Sequence, residues 1–247
     1  MKFLILLRAF FATLICPLGV LILGPIGIAG HYLLQNRRFD NWVLRTWGRL
    51  CCRAAGVRVV VEGKENIPAE GCLFLFNHTS FFDVFAMVGY IDDLRFGAKA
   101  ELFKIPVFSQ TMRAMGTLPI ARNNRDEVFK IYEEAKARFA KGEKFALSPE
   151  GGRFYTGGPL APFKAGPFLF AMSAGAPLVP LVIVGAYEAL PKGSFLFKSS
   201  HWKHTITIKI LPAIKTSDYK TEQRRELQEM AYESMNRVWM ASREKTD

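Results

Sequence analysis

An α/β fold is predicted, with a mixed sheet of roughly seven strands flanked by helices and an apolar two-helix membrane motif at the N-terminus. Three features carry that prediction. Short β-rich runs alternate with helical periodicity from residue 57 onward. An uncharged run of 22 residues, Ala9 to Gly30, precedes them. The chain of 247 residues suits one sizeable core once that leader is set aside. The expected division is a membrane-embedded helical hairpin over 1–36 and a single domain over 37–247.

The leader meets the length of about 20 residues that a spanning helix needs. A cleaved signal peptide would have a shorter apolar region and a small-residue cleavage site, which Gly27-Ile28-Ala29-Gly30 resembles only weakly. A single span would separate Lys2 and Arg8 from Arg37, Arg38, Arg45, Arg49 and Arg53, although basic residues beside membrane segments favour the cytoplasmic side. Breaking the helix at Cys16-Pro17-Leu18-Gly19 and near Gly24-Pro25 gives a hairpin that dips into one leaflet. That reading keeps both basic clusters at the cytosolic headgroups.

Next, Trp42, Val43, Leu44, Trp47, Leu50 and Cys51 recur at helical spacing, with Arg45, Arg49 and Arg53 four residues apart. Such a helix suits a lipid–water interface or simple packing on the domain. Seven strand-like runs follow: Val57 to Gly63, Cys72 to Asn77, Leu94 to Lys99, Thr117 to Ala121, Lys144 to Ser148, Leu178 to Gly185 and Thr205 to Leu211. Helical patterns fall between them at about 81–91, 107–115, 124–141 and 164–175, with a last one from Thr221 to Arg243. In the third, Val128, Ile131, Tyr132, Ala135 and Phe139 share one apolar face.

Half the residues are hydrophobic, 21 are Phe, and the net charge is +11, a balance suited to anionic lipid or to nucleic acid. The apolar leader favours lipid, and no recognition helix supports nucleic acid. Cys16, Cys51, Cys52 and Cys72 lack metal-type spacing, and reduced thiols are expected. His201-Trp202-Lys203-His204 lacks further ligands nearby and reads as a solvated turn before a strand, so no metal is expected.

The sharpest local signal is Asn77-His78-Thr79-Ser80-Phe81-Phe82-Asp83, where an apolar strand ends and a helix begins. Ser80 and Asp83 have the spacing of a capping box, so Asp83 could serve the helix alone. Chemically, a neutral imidazole with a pKa of about 6.5 can take a hydroxyl proton if a carboxylate holds its other nitrogen. The chain has no Gly-x-Ser-x-Gly elbow to support a covalent acyl-enzyme. Attack by an acceptor hydroxyl that His78 deprotonates is the simpler scheme.

Asn-His-x-x-x-x-Asp, followed in order by three further blocks, resembles the glycerophospholipid acyltransferase family, whose bacterial members include lysophosphatidate acyltransferases. The likeness covers roughly residues 55–215. It implies a catalytic pair at His78 and Asp83. The second block resembles Gly116-Thr117-Leu118-Pro119-Ile120-Ala121-Arg122, which implies a phosphate-binding Arg122, with Pro119 and Ala121 standing where an aromatic and an acidic residue are usual. The third is Ser148-Pro149-Glu150-Gly151-Gly152-Arg153, similar to Phe-Pro-Glu-Gly-Thr-Arg, and the fourth is Val179-Pro180. Arg153 is expected to help bind the phosphate, with Lys99 and Lys104 of the Lys-x-Glu-Leu-like segment nearby. Glu150, Gly151, Gly116 and Pro180 are expected to shape the site.

The resemblance implies transfer of an acyl group from acyl-CoA or acyl carrier protein to the sn-2 hydroxyl of 1-acyl-glycerol-3-phosphate, making phosphatidic acid. No cofactor is implied beyond the thioester co-substrate. The expected partners are membrane lipid, lysophosphatidate and the donor, at the cytosolic face of the inner membrane. Two rivals remain: the same chemistry on glycerol 3-phosphate, a lysophospholipid or a lyso-aminolipid, and a non-catalytic protein that binds anionic lipid.

Overall fold

The computed structural model describes residues 2–120, 125–194, 197 and 202–243. In chain order the elements are α1 (Lys2–Leu34), α2 (Arg37–Ala54), β1 (Val57–Glu62), β2 (Leu73–Phe76), α3 (Phe81–Tyr90), β3 (Leu94–Lys99), α4 (Phe108–Ala114), β4 (Leu118–Ile120), α5 (Arg125–Ala140), β5 (Lys144–Leu147), α6 (Gly166–Ala174), β6 (Leu178–Val184), α7 (Ala186–Ala189), β7 (His204–Ile210) and α8 (Arg224–Arg243). Each of the seven strand-like runs holds a strand, and the helical patterns after residue 80 hold α3, α4, α5, α6 and α8.

The described strands form one sheet in the order β1-β7-β6-β2-β5-β3-β4. Strands β6, β2, β5, β3 and β4 run parallel, whereas β7 is antiparallel to β6 and parallel to β1. The sheet is therefore mixed, as expected. A parallel strand covered on both faces has no solvated side for polar residues. Strand β2 accordingly reads Leu-Phe-Leu-Phe, all of it buried. Its Leu73 and Leu75 join Phe145, Phe168, Phe170, Leu227 and Trp239 on one face. Phe74 and Phe76 join Phe82, Ile206, Ile208, Cys51 and Cys52 on the other. Burying one such side chain contributes about 1.5–3 kcal/mol, so a slip of register by one residue would be costly.

The N-terminal expectation needs correction. The expected hairpin over 1–36 is not what the described residues show: α1, Lys2–Leu34, runs unbroken for 33 residues through Pro17 and Pro25. The reversal comes after it, at Gln35 with φ 48° and at Asn36, whose side chain accepts from Arg38 N at 2.9 Å and caps α2. The two-helix motif is thus α1 with α2, and position 36 lies inside its turn. A proline costs a helix one hydrogen bond and some clash, and tertiary packing can outweigh that. Glycines along α1 let neighbouring side chains approach closely: a Cβ at Gly19 would stand 2.8 Å from Trp47, and one at Gly27 3.1 Å from Val43. Trp47 Nε1 also donates to Cys16 O at 3.1 Å, beside Pro17.

Helix α2 packs on the domain along one face. Val43, Gly48, Cys51 and Cys52 are buried, and a Cβ at Gly48 would meet the backbone of α3 at Phe85 and Gly89, so α2 is wedged between α1 and α3. Trp42 and Leu50 stay exposed at its rim. Helix α1 touches the domain at Ile5, Ala9 and Ala12, which are buried, and again at Gly27 beside Met115. Held at both places, it lies along the domain and does not project from it.

Candidate active site

In a parallel sheet every carboxyl end faces the same edge, so the loops that follow neighbouring strands meet there. Strands β2, β5 and β3 are neighbours, and the segments that follow them begin at Asn77, Ser148 and Ala100. The first and third sequence blocks and the Lys-x-Glu-Leu-like segment are thereby gathered along one edge.

Asn77, fully buried, ties this edge together. Its Nδ2 donates to Ile183 O at 2.9 Å and its Oδ1 accepts from Ile183 N at 2.7 Å, which locks the end of β2 to β6. The chain then turns into α3. Ser80 is the N-cap, its Oγ accepting from Phe82 N at 3.1 Å and donating to Leu190 O at 2.7 Å. Asp83 closes the capping box, since its Oδ2 accepts from Ser80 N at 2.8 Å and also from Thr79 N at 2.7 Å.

The same Oδ2 lies 2.8 Å from His78 Nδ1. Capping and holding the imidazole are therefore one arrangement, not alternatives. Asp83 is fully buried in the first turn of α3, and its Oδ2 accepts from two backbone N–H groups. A carboxylate there can only accept, so Nδ1 carries the proton and Nε2 is left with a lone pair. The His78 side chain is 18% exposed, which gives that lone pair access to a ligand.

A second carboxylate braces the loop from behind. Glu150 Oε1 accepts from His78 N at 2.8 Å, and Oε2 accepts from Ala161 N at 3.2 Å. Burial pushes the Glu150 carboxyl up to about 7, against the lowering effect of those two N–H groups and with a smaller upward contribution from the Asp83 charge. Phe154 N donates to His78 O at 2.8 Å, so the 148–154 turn is stitched to the His78 loop twice. Gly151 has φ 74°, and a Cβ there would meet Lys164 at 2.8 Å, which accounts for glycine in the tight turn that delivers Arg153. The Arg153 guanidinium lies 4.1 Å from the centre of the Phe81 ring, on the first residue of α3.

The structure thus brings together His78, Asp83, Glu150, Gly151 and Arg153. It does not bring the others in equally. Lys99 pairs with Glu101 at 3.3 Å, and Lys104 is exposed without an ion pair among the described residues. Pro180 is buried inside β6 opposite Leu75, beneath the loop. Gly116 is a correction: it precedes β4, at the end of the sheet away from the site. Its φ of 75° serves the turn after α4, where its carbonyl accepts from Arg138 Nη2 at 3.0 Å. Arg122 and His201 lie outside the described residues. Sequence reasoning missed Phe81 as a partner of Arg153, because an aromatic at the start of an apolar helix carries no mark that distinguishes it from core.

The chain is similar to known acyltransferases. The model of the acyltransferase family matches residues 58–184. The chloroplastic 1-acyl-sn-glycerol-3-phosphate acyltransferase of Brassica napus is 27% identical over 195 residues, which are 76% of this chain and 56% of that protein. The 1-acyl-sn-glycerol-3-phosphate acyltransferase of Pseudomonas aeruginosa is 28% identical over 192 residues, 77% of this chain and 70% of that one. The crystal structure of the 1-acyl-sn-glycerophosphate acyltransferase of Thermotoga maritima superposes with a TM-score of 0.83 at 25% identity, covering 98% of this chain and 97% of that one. The chain spans little more than half the length of the Brassica napus relative.

Proposed function

Given that the chain belongs to the acyltransferase family, whose model spans 58–184, we propose that it moves a fatty acyl group from a thioester donor to the sn-2 hydroxyl of 1-acyl-glycerol-3-phosphate. The observation that carries this reading is the 2.8 Å contact of His78 Nδ1 with the buried Asp83 Oδ2, which leaves Nε2 free as a base. In the proposed step Nε2 takes the acceptor's hydroxyl proton as the oxygen attacks the thioester carbonyl carbon. The tetrahedral intermediate then collapses, the carbon–sulfur bond breaks, and the thiolate leaves with the proton held by His78. Asp83 steadies the imidazolium between the two transfers. All atoms and electrons balance between donor and acceptor, so the scheme calls for no cofactor, and acyl-CoA or acyl carrier protein serves as co-substrate.

Arg153 binds the acceptor phosphate through its planar fork, with Arg122 as the expected second guanidinium and Lys99 and Lys104 adding positive charge at the same edge. The membrane supplies the acceptor. Phe3, Leu7, Phe10, Leu14, Leu18 and Leu21 recur three and four residues apart on α1, and all are exposed. Helix α1 contains 32 residues apolar enough to cross a membrane by length and composition. Since it is held along the domain, the outer face of α1 is proposed to lie in one leaflet, with the basic residues of α2 at cytosolic headgroups. The structural units are then a membrane-docking pair, α1 with α2, and the catalytic domain that follows.

The test is acyl transfer by purified protein in detergent, with acyl-CoA and acyl carrier protein tried separately against lysophosphatidate, lysophosphatidylcholine and glycerol 3-phosphate. Transfer to lysophosphatidate that disappears in His78→Ala is the expected result. Transfer only to another acceptor would keep the chemistry and replace the substrate. No transfer by folded protein with any pair would leave lipid binding as the function.

A further inference from the structure

We infer that Phe81 is a positioning residue for the acceptor's phosphate group: its ring holds the flat of the Arg153 guanidinium and aims the N–H edge at the ligand. The inference rests on the proposed role of Arg153 and extends it to Phe81, one of the x positions of the Asn-His-x-x-x-x-Asp block, to which the resemblance assigns no role.

Several other arginines among the described residues have their hydrogen-bonding edges occupied. Arg37 donates to Asp93, Arg138 to Glu143, and Arg95 to Asn41, while Arg45 pairs with Asp92. Among the described residues the Arg153 side chain makes no ion pair and no hydrogen bond. What it has is the Phe81 ring, 4.1 Å from the guanidinium carbon. This difference is chemical. A carboxylate partner takes the N–H edge of a guanidinium, whereas an aromatic ring takes its face and leaves the in-plane donors for a bidentate oxyanion. A stacked arginine is therefore oriented without being used up.

The ring is itself firmly placed. Phe81 follows the N-cap Ser80 directly, and Ser80 is bonded to Phe82 N and Leu190 O. From the other side, Phe154 N holds His78 O, which fixes the backbone next to Arg153. Only the flexible arginine side chain lacks a support, and Phe81 provides it. Packing does not account for the residue. Phe81 is 44% exposed, and the neighbouring Phe82, fully buried, takes the aromatic contacts with Phe85 and Phe197. A large apolar ring half in water, at the mouth of a charged site, is explained by the cation above it.

The test is equilibrium binding of lysophosphatidate in detergent with no acyl donor present, beside monoacylglycerol, which lacks the phosphate. Phe81→Leu should weaken lysophosphatidate binding about fivefold, in keeping with a cation–π contact, and leave monoacylglycerol binding unchanged. Phe81→Tyr should restore wild-type affinity. Arg153→Ala should weaken binding about tenfold or more, and adding Phe81→Leu to it should cost nothing further, because the ring acts only through the arginine. In turnover, Phe81→Leu should raise KM for lysophosphatidate while kcat stays. Unchanged affinity in Phe81→Leu, no recovery in Phe81→Tyr, or additive losses in the double variant would each overturn the inference. If the leucine variant fails to fold, Phe81→Met at the same exposed position decides the question in the same way. Loss of transfer in wild-type protein would refute the enzymatic reading, whereas the binding comparison reports on Phe81 by itself.

Discussion

Replacing Asp83 by Asn removes one charge and leaves the geometry nearly intact. Three donors converge on a single oxygen, Oδ2: His78 Nδ1 at 2.8 Å, Thr79 N at 2.7 Å and Ser80 N at 2.8 Å. An amide oxygen takes that place, and the new NH2 falls where Oδ1 is buried without a partner among the described residues. That burial costs about 1–3 kcal/mol of stability, a shift of roughly 2–4 °C in Tm per kcal/mol for a chain of this size. The catalytic loss is of another kind. A carboxylate 2.8 Å from a full imidazolium gains about 6 kcal/mol at an effective dielectric of 20. With about half the proton transferred, roughly 3 kcal/mol is withdrawn from the transition state, or about a hundredfold in rate. Initial rates of thiol release should therefore show kcat reduced about a hundredfold and KM for the acceptor little altered. Ser80→Ala is the control, because it removes the N-cap at a cost of about 1 kcal/mol and keeps the charge beside His78. If Asp83→Asn keeps more than about a tenth of the rate, or Ser80→Ala loses as much, Asp83 is a helix cap and the reasoning is wrong.

Glu150 predicts a pH dependence of stability. Its carboxyl is raised by burial from an ordinary value of 4.5 to about 7. The stabilisation tied to its protonated form is full below about 4.5 and is lost as pH rises towards 7, on the order of 3 kcal/mol in all. Tm measured from pH 4.5 to 8 should slope downward from this contribution, and Glu150→Gln should flatten that slope; an unchanged slope would remove Glu150 as its source. Asn77→Ala strips two buried bonds to Ile183. It should cost about 2–4 kcal/mol by denaturant titration, and a change under about 0.5 kcal/mol would contradict the lock between β2 and β6. Phe10→Asp with Leu14→Asp places two charges on the exposed face of α1. Sedimentation with phosphatidylglycerol vesicles should fall about tenfold or more, while equal sedimentation would place that face outside the membrane.

Much of the fold was legible because local chemistry and tertiary demand coincide. Strands β1, β2, β6 and β7 are rich in β-branched or aromatic residues, and the long helices after residue 80 have apolar faces. The Ser80–Asp83 spacing announced its capping box, and the Asn-His-x-x-x-x-Asp block announced its imidazole and carboxylate. The leader was not legible in the same way. Pro17 and Pro25 are local breakers, and what overrides them is contact with Trp47, Val43 and Met115, residues far along the chain.

The sequence by itself determined which residues could do proton transfer and phosphate binding, and that the chain alternates between strand and helix, since both follow from side-chain chemistry and short-range periodicity. Only the tertiary structure decided which of them meet. Parallel pairing of β2 with β5 set the 148–154 turn against His78, so that Glu150 braces the loop and Arg153 reaches Phe81. The same sheet carried Gly116 to the far end of β4, and the glycines of α1 joined it to α2 as one helix pair. These outcomes depend on strand order and on the close approach of distant surfaces, and both arise only when the whole core is buried at once.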